Sequence, residues 1–247
     1  FTFPGLNAKP VPSILRGFSA PVVLDHDADH AFLLAHDTDP FNTWEMGRML
    51  AKDTLVAMIV DGTPPARDYL DALKSMLSDT SKDPAFRALC LALPSQDDLA
   101  QTLHDAGIIP DPMAIYEQRE ELRHTLATEF KDILAGLYEA NDAGAFKPDA
   151  DGSGKRSLRM SVLALLTLND EGQAAQSLFE TADNMTEQAG ALMALLSAGK
   201  GQEELASFYA QWFHDRLVMD KWFMMQVAVA APLDAARIAK ELTEHAD

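Results

Sequence analysis

The feature that most constrains the fold of this chain is a repeated helix-start signal, in which an Asp or Thr is followed directly by proline. It occurs in the stretches GTPPARDYL, KDPAFRAL and PDPMAIYEQ. Asp and Thr accept hydrogen bonds from the free N–H groups of a first helical turn, and proline suits the first helical position because it has no N–H to leave unpaired. The chain is therefore predicted to form separate helices joined by short loops.

Apolar residues recur at i, i+3, i+4 and i+7 between these starts, a spacing that places them on one face of a helix. Two such stripes are Tyr69, Leu70, Leu73 and Leu77, and Ile115, Leu122, Leu126 and Phe130. About twelve helices are predicted, near 28–37, 42–60, 64–78, 84–92, 96–105, 112–141, 155–168, 171–181, 186–198, 202–215, 217–230 and 233–245.

The loops between these helices are short, which favours antiparallel hairpins. A long run of such hairpins stacks into an α-solenoid of the armadillo or HEAT type. Ser95 with Asp98 is typical of a capping box, and Gly107 and Gly199 stand where C-terminal glycines belong. The stretch DADGSGK, 149–155, is predicted to be the most flexible connection. We expect residues 25–247 to form one helical solenoid domain.

The first 24 residues have a different character. Apolar residues alternate with others in FTFPGL, proline is frequent in KPVPSILRGFSAP, and β-branched valines occur in VVL. These patterns predict two or three short strands joined by proline-fixed loops. The start lacks an initiator Met and the features of a signal peptide, so we interpret the chain as cut from something longer.

Charge and cysteine content exclude several function classes. With 20 Lys and Arg against 38 Asp and Glu, the formal charge is −18, which repels phosphate backbones and anionic lipid surfaces. Nucleic acid and membrane partners are therefore not expected, and no apolar run approaches the roughly 18 residues of a membrane span. The one cysteine, Cys90, lies in the apolar run FRALCLAL and is interpreted as a small buried hydrophobe.

The stretch DHDADH, 25–30, places His26 and His30 four positions apart with Asp27 after the first. Zinc peptidases use two histidines at this spacing on a helix, with a Glu as general base. Here Asp27 is one methylene shorter than that base, and the surrounding aspartates predict a helix start that would leave His26 before the first turn. We therefore favour a capped surface turn over a metal site.

The helix predicted over 217–231, LVMDKWFMMQVAVAA, is apolar around most of its circumference, as expected of a helix enclosed by others. Its Asp220 and Lys221 are either a helix-start carboxylate and a solvated lysine or a pair that faces a ligand. Methionines cluster at Met46, Met49 and Met58, which fits adaptable core packing or, alternatively, a peptide groove. The other histidines are isolated, and the sequence contains no recognisable catalytic motif.

Several stretches nevertheless resemble one family, bacterial aminopeptidase N, and the resemblance runs through nearly all of the chain. They are KPVPSILRGFSAPVVL at 9–24, REELRHTLATE at 119–129, KRSLRMSVLALL at 155–166, NMTEQAGALMAL at 184–195 and LVMDKWF at 217–223. The resemblance implies that 1–24 are the last strands of a β-sandwich domain. It implies that 25–247 are the first part of a helical domain, truncated at its C-terminal end.

Members of this family are zinc aminopeptidases that remove N-terminal amino acids from peptides. Their zinc motif, His-Glu-x-x-His with a further Glu, and their Gly-Ala-Met-Glu-Asn motif do not occur here. The resemblance therefore implies a chain that is inactive alone, with no catalytic or metal-binding residue of its own. Its expected partners are the zinc-containing catalytic domain of the same polypeptide, whose cleft it would cover, and peptide substrates.

Asp220, Lys221 and Trp222 are the residues we expect in the wall of a cavity over that cleft. The alternative interpretation is an independent α-solenoid module that binds a protein partner and has no enzymatic activity. We expect a cytoplasmic location. We also expect either self-association or N-terminal strands folded back onto helices, since a truncated chain exposes strand edges and apolar surface.

Overall fold

A computed structural model of the chain describes residues 4–22 and 29–246. Within these ranges it contains thirteen α-helices, a single-turn 3-10 helix at Arg16–Phe18, and no β-strand. The predicted, mainly helical architecture is confirmed. Contacts between residues divide the chain into two compact units, unit 1 (Phe1–Leu122) and unit 2 (Arg123–Asp247).

Unit 1 is built around its longest helix, α2, which packs against α1, α3, α4 and α5. The predicted stripe on α3 is fully confirmed, since all four of its residues are buried. The helices are α1 (His30–His36), α2 (Pro40–Asp61), α3 (Arg67–Ser78), α4 (Pro84–Leu91), α5 (Gln96–Asp105) and the part of α6 (Pro112–Glu129) up to Leu122.

Unit 2 is centred on α10, which packs against α8, α9, α11 and α12. A Cβ at Gly190 in α10 would lie 2.5 Å from the Met160 Sδ in α8, so glycine permits the close approach of these two helices. The helices that follow α6 are α7 (Lys131–Ala140), α8 (Ala150–Leu166), α9 (Gln173–Thr181), α10 (Met185–Ser197), α11 (Gln202–Trp212), α12 (Arg216–Ala228) and α13 (Ala235–Thr243).

Most predicted helix boundaries are confirmed by the cap geometry. Asp83 accepts hydrogen bonds from the amides of the first turn of α4, and Ser95 accepts one from the Asp98 amide at the start of α5. Gly107 and Gly199 have positive φ angles, which glycine adopts without strain. The expected start near Pro64 is wrong, because α3 begins at Arg67. A residue that precedes proline is disfavoured in helical conformation, and Pro64 precedes Pro65.

Two further predictions are corrected. The helix predicted over 112–141 is two helices, because buried Phe130 has φ −102° and ψ 11° and breaks the helical run between α6 and α7. The apolar stripe passes through Phe130 without interruption, so periodicity gave no sign of the break. The stretch 149–155 was predicted to be a flexible connection, but it consists of the N-cap residue and the first turns of α8. Asp149 caps it by accepting a hydrogen bond from the Gly152 amide at 2.7 Å.

The strands predicted in 1–24 are absent from the part of this segment that the structure describes, residues 4–22. A strand needs a neighbour for its backbone hydrogen bonds, and these residues have none, while Pro10, Pro12 and Pro21 lack an N–H to donate. The ends of the predicted strands, Phe1–Phe3 and Val23–Leu24, lie outside the described residues.

Candidate functional site

The segment Ser13–Phe18 is held onto the first two helices by a cluster of hydrogen bonds, which we call the N-terminal clamp. The Arg16 guanidinium donates to the Asp37 carboxylate at 3.0 Å and to the Thr38 hydroxyl at 2.9 Å. The Gly17 amide donates to the Asp39 carboxylate at 2.8 Å. This segment lies on helices as expected, but not as the strands that were predicted, since its regular element is the 3-10 turn at Arg16–Phe18.

The buried member of the clamp is Asp37. Burial disfavours its charged form, but the Asp39 amide, the Ser13 and Asn42 side chains and the positive charge of Arg16 outweigh that effect and hold its pKa below the ordinary value. Asp37 therefore stays ionised at neutral pH and bridges the segment to the start of α2.

The clamp forms one wall of an apolar groove, and α2 forms the other. The groove has a volume of about 520 Å³. Ring contacts continue across it, since the Phe18 and Phe41 centroids are 4.9 Å apart and those of Phe41 and Trp44 are 5.9 Å apart. Met46 and Met49 also line it. Core packing is confirmed for Met46 and Met58, which are buried, and a peptide groove stays a prediction.

The charged side chains on the α2 side of this groove are already paired. Arg48 donates to Glu45 and to Asp98, and Lys52 donates to the same Asp98 at 2.7 Å. These bonds raise the pKa of Arg48, chiefly through Glu45. The network ties α2 to the start of α5.

The described part of the DHDADH stretch, Asp29 and His30, forms a helix cap. Asp29 accepts a hydrogen bond from the Phe32 amide at 2.9 Å, and His30 begins α1 with its Nδ1 3.2 Å from the Asp53 carboxylate. His26 and Asp27 lie outside the described residues. Within residues 4–22 and 29–246, no three His, Cys, Asp or Glu side chains lie close enough together to hold a metal ion.

Unit 2 contains a second charged cluster, between α8 and α10. Arg159 donates to Glu187 at 3.0 Å and to Asp142 at 3.1 Å, and its guanidinium lies 4.6 Å from the centroid of the Tyr138 ring. Burial raises the pKa of Tyr138. Glu187 also accepts a hydrogen bond from Asn184, the residue that caps α10.

The three residues expected in a cavity wall point in different directions. Trp222 is buried in unit 2, donates from its indole N–H to the Leu205 carbonyl oxygen at 3.1 Å, and packs against Tyr209. Asp220 and Lys221 are exposed, and Asp220 lines a shallow groove of about 450 Å³ between α12 and α13.

The prediction that α12 is enclosed on most sides is wrong. Val218, Met219, Trp222 and Met225 are buried, whereas Leu217, Met224 and Val227 on the opposite face are exposed. Because both faces of α12 carry apolar residues, the hydrophobic pattern of the sequence could not distinguish the buried face from the exposed one.

Sequence reasoning also missed the N-terminal clamp and the Arg159 cluster. The residues of each are far apart in the chain, and their types are ordinary for solvent-exposed positions. Cys90, interpreted from the sequence as a small buried hydrophobe, is partly buried, and this burial raises its pKa to about 12.

Comparison with known families assigns the fold. A family model described as a domain of unknown function with ARM repeats, DUF3458_C, matches residues 27–247. The chain belongs to the DUF3458_C family. The ARM-repeat assignment agrees with the armadillo-type architecture predicted from helix count and loop length, although no strict repeat is visible in the sequence.

Relatives of this DUF3458_C chain include three proteins named aminopeptidase N. The Caulobacter vibrioides protein is 38% identical over 96% of the chain, the Escherichia coli protein 33% over 99%, and the Haemophilus influenzae protein 30% over 92%. The chain spans 28%, 29% and 27% of their respective lengths. It is thus homologous to the C-terminal domain of bacterial aminopeptidase N.

The chain is also similar in structure to part of a solved aminopeptidase. Legionella pneumophila aminopeptidase A, crystallised in complex with aspartic acid, superposes with a TM-score of 0.82 at 25% identity, covering 97% of this chain and 30% of the Legionella chain. No helix in the described part of the DUF3458_C chain is long and apolar enough to cross a membrane.

Proposed function

We propose that this chain is the helical domain of a larger zinc aminopeptidase, in which it covers the catalytic cleft and controls which peptides enter. The observation that carries the proposal is the similarity of 96% of the chain to Caulobacter aminopeptidase N, of which it spans 28%. The reaction of the whole enzyme is the removal of N-terminal amino acids from peptides. We propose a cytoplasmic location for it.

The zinc ion belongs, in this proposal, to a catalytic domain outside the present sequence. A zinc site needs three or four His, Cys, Asp or Glu ligands around one point. The described residues offer no such set, and His30 is paired with Asp53. These residues do not fit a zinc site, and we propose no metal-dependent step within them.

The contribution of this chain is access control. A helical wall over the cleft restricts entry to short or unfolded peptides and excludes bulk water from the reaction. The net charge of −18 favours peptides with cationic N-termini. Of the three predicted wall residues, Asp220 and Lys221 are exposed and Trp222 is buried. We assign the surface of the wall to Asp220 and Lys221, with Trp222 packed behind them.

The first test separates this function from that of an independent interaction module. The 247-residue chain is compared with the polypeptide encoded together with its upstream sequence, using an aminoacyl anilide substrate. We expect hydrolysis only by the longer polypeptide, and expect a chelator to abolish it. Upstream sequence without the His-Glu-x-x-His motif, or chelator-sensitive hydrolysis by the chain alone, contradicts the proposal.

The second test addresses access control in the longer polypeptide. Asp220→Asn is expected to raise KM for peptides with a basic N-terminal residue and to weaken the salt dependence of KM, with kcat for a small anilide unchanged. Glu180→Gln removes the same charge at an exposed position of α9 and serves as the matched control. If KM and its salt dependence are the same in both variants, Asp220 has no part in admitting peptides.

A further inference from the structure

The N-terminal clamp lies at the corner where α1 ends and α2 begins. Asp37 is the C-cap residue of α1, and Asp39 is the N-cap residue of α2. One carboxylate oxygen of Asp39 accepts a hydrogen bond from the Asn42 amide of α2, and the other accepts one from the Gly17 amide at 2.8 Å. The segment Ser13–Phe18 is therefore bonded to the same side chains that fix these two helix ends.

The backbone of this segment is strained. Leu15, Gly17 and Phe18 have φ angles of 57°, 64° and 51°. Leu and Phe seldom adopt this left-handed conformation, because their side chains are crowded by the backbone there. A strained backbone persists only where its surroundings hold it. The clamp supplies that restraint, so we expect the segment to leave this geometry once the clamp is broken.

The clamp also shortens the connection between the N-terminal segment and the helices. Residues 4–10 are all exposed, and the hydrogen bonds that attach the described N-terminal residues to helices begin at Ser13. Arg16 and Asp37 are 21 positions apart, and a chain of this length spans roughly 70 Å when fully extended. The ion pair holds the two side chains at 3.0 Å. Polypeptide that precedes the clamp is thereby attached to the helices at one fixed point.

We propose that Arg16 and Asp37 are positioning residues, which hold the helical wall over the cleft of a catalytic domain that precedes the clamp in the longer polypeptide. This inference rests on the function proposed above and names the residues that maintain the position of the wall. Neither residue touches the substrate. When the pair is broken, the wall is free to move away from the cleft, and larger substrates gain access.

The first measurement follows the position of the segment directly. In the polypeptide encoded together with its upstream sequence, spin labels are attached at Asn7→Cys, before the clamp, and at Ser75→Cys on α3, both exposed positions. The native cysteines, including Cys90, are replaced by alanine. Pulsed electron paramagnetic resonance is expected to give one narrow distance distribution without further changes, and a broader one in Asp37→Asn and in Arg16→Gln.

The second measurement follows access to the cleft. It is the ratio of kcat/KM for a small folded protein to kcat/KM for an aminoacyl anilide with the same N-terminal residue. We expect Asp37→Asn to raise this ratio about fivefold, with kcat for the anilide unchanged. A variant that only lost stability would lower both rates together and leave the ratio as it was.

Three further variants test whether the pair acts as a unit. Arg16→Gln combined with Asp37→Asn is expected to raise the ratio no more than Asp37→Asn alone, since both changes remove the same contact. Arg16→Lys keeps a positive charge beside Asp37 and is expected to have a smaller effect than Arg16→Gln. Arg67→Gln removes the same charge from an exposed pair on α3 and is expected to change neither measurement.

Two outcomes overturn the proposal. The first is a distance distribution that stays narrow in both Asp37→Asn and Arg16→Gln, since the clamp then does not fix the position of the segment. The second is a broadened distribution with an unchanged ratio, since the clamp then does not control access. A longer polypeptide without chelator-sensitive hydrolysis contradicts the function proposed above instead. The distance measurement does not depend on hydrolysis and judges the clamp separately.

Discussion

The N-terminal clamp of unit 1 and the Arg159 cluster of unit 2 differ mainly in how much water reaches them. In the N-terminal clamp, the Arg16 side chain is 49% exposed and its partner Asp37 is 1% exposed. In the cluster of unit 2, the Arg159 and Glu187 side chains are 12% and 6% exposed. The clamp attaches a segment that contains one 3-10 turn, whereas the Arg159 cluster joins two helices of a packed core.

This difference predicts how each cluster responds to the loss of one member. Water replaces a lost partner readily at an exposed side chain, so the cost is small. A buried charge that loses its partner keeps the full penalty of removal from water. We therefore expect the loss in free energy of unfolding to increase with the burial of the charge that is left without its partner, and not with the number of hydrogen bonds lost.

The largest effect is expected from Glu187→Ala. It leaves Arg159 nearly buried with only Asp142 and the Tyr138 ring as partners, and we expect a loss of about 3 kcal/mol in the free energy of unfolding. Urea denaturation followed by circular dichroism measures it. Glu180→Ala, an exposed change on α9, is the control and should shift the midpoint little.

Replacing both partners sharpens this test. In the double variant Arg159→Met with Glu187→Met, no buried charge is left unpaired between these positions, and we expect much of the lost stability to return. A double variant that is less stable than Glu187→Ala would show that the ion pair itself, rather than the penalty of breaking it, stabilises unit 2.

The next effect is expected from Asp37→Asn, at about 1–2 kcal/mol at neutral pH. The folded-state pKa of Asp37 is lowered, so its contribution is present above the unfolded-state value of about 3.9 and is lost as the pH falls through the folded-state value. Urea midpoints of the two proteins should therefore differ at pH 7 and converge as the pH falls below about 4. A difference that is constant with pH contradicts the assigned role of the Asp37 charge.

A smaller effect is expected from Arg16→Gln, because half of the Arg16 side chain already faces water and the buried Asp37 carboxylate keeps its hydrogen bonds from the Asp39 amide and from the Ser13 and Asn42 side chains. We expect a loss of roughly 0.5 kcal/mol in global stability, together with faster chymotrypsin cleavage after Phe18, whose backbone the clamp holds in place. Arg67→Gln, at an exposed pair on α3, is the matched control. Unchanged cleavage would mean that the segment is held without Arg16, by the hydrogen bond from the Gly17 amide to Asp39 and by the one from the Asn42 side chain to the Ser13 hydroxyl.

The smallest effect is expected from Arg237→Gln. Arg237 bonds Asp234 and Glu241 on α13, and all three side chains are more than half exposed. Despite these three hydrogen bonds, we expect no measurable change in the urea midpoint, since exposed pairs contribute little. A loss of stability comparable to that of Glu187→Ala would contradict the expectation that the effect depends on burial.

Local patterns predicted much of the fold because they act over a few residues. The caps at Asp83, Ser95 and Asn184 depend on a side chain reaching an amide two or three positions away, and the sequence contains both partners. The break at Phe130 was not predictable in this way, because the residue continues the apolar period on both sides while its backbone leaves the helix.

By itself, the sequence determined that the chain is helical, where most helices start, which face of α3 is buried, and that it resembles aminopeptidase N. Only the tertiary structure decided which side of α12 faces water, that Arg159 meets Glu187, and that Arg16 reaches Asp37. Those pairings join residues 28 and 21 positions apart. Their partners are chosen by how helices pack, and no local spacing rule contains that information.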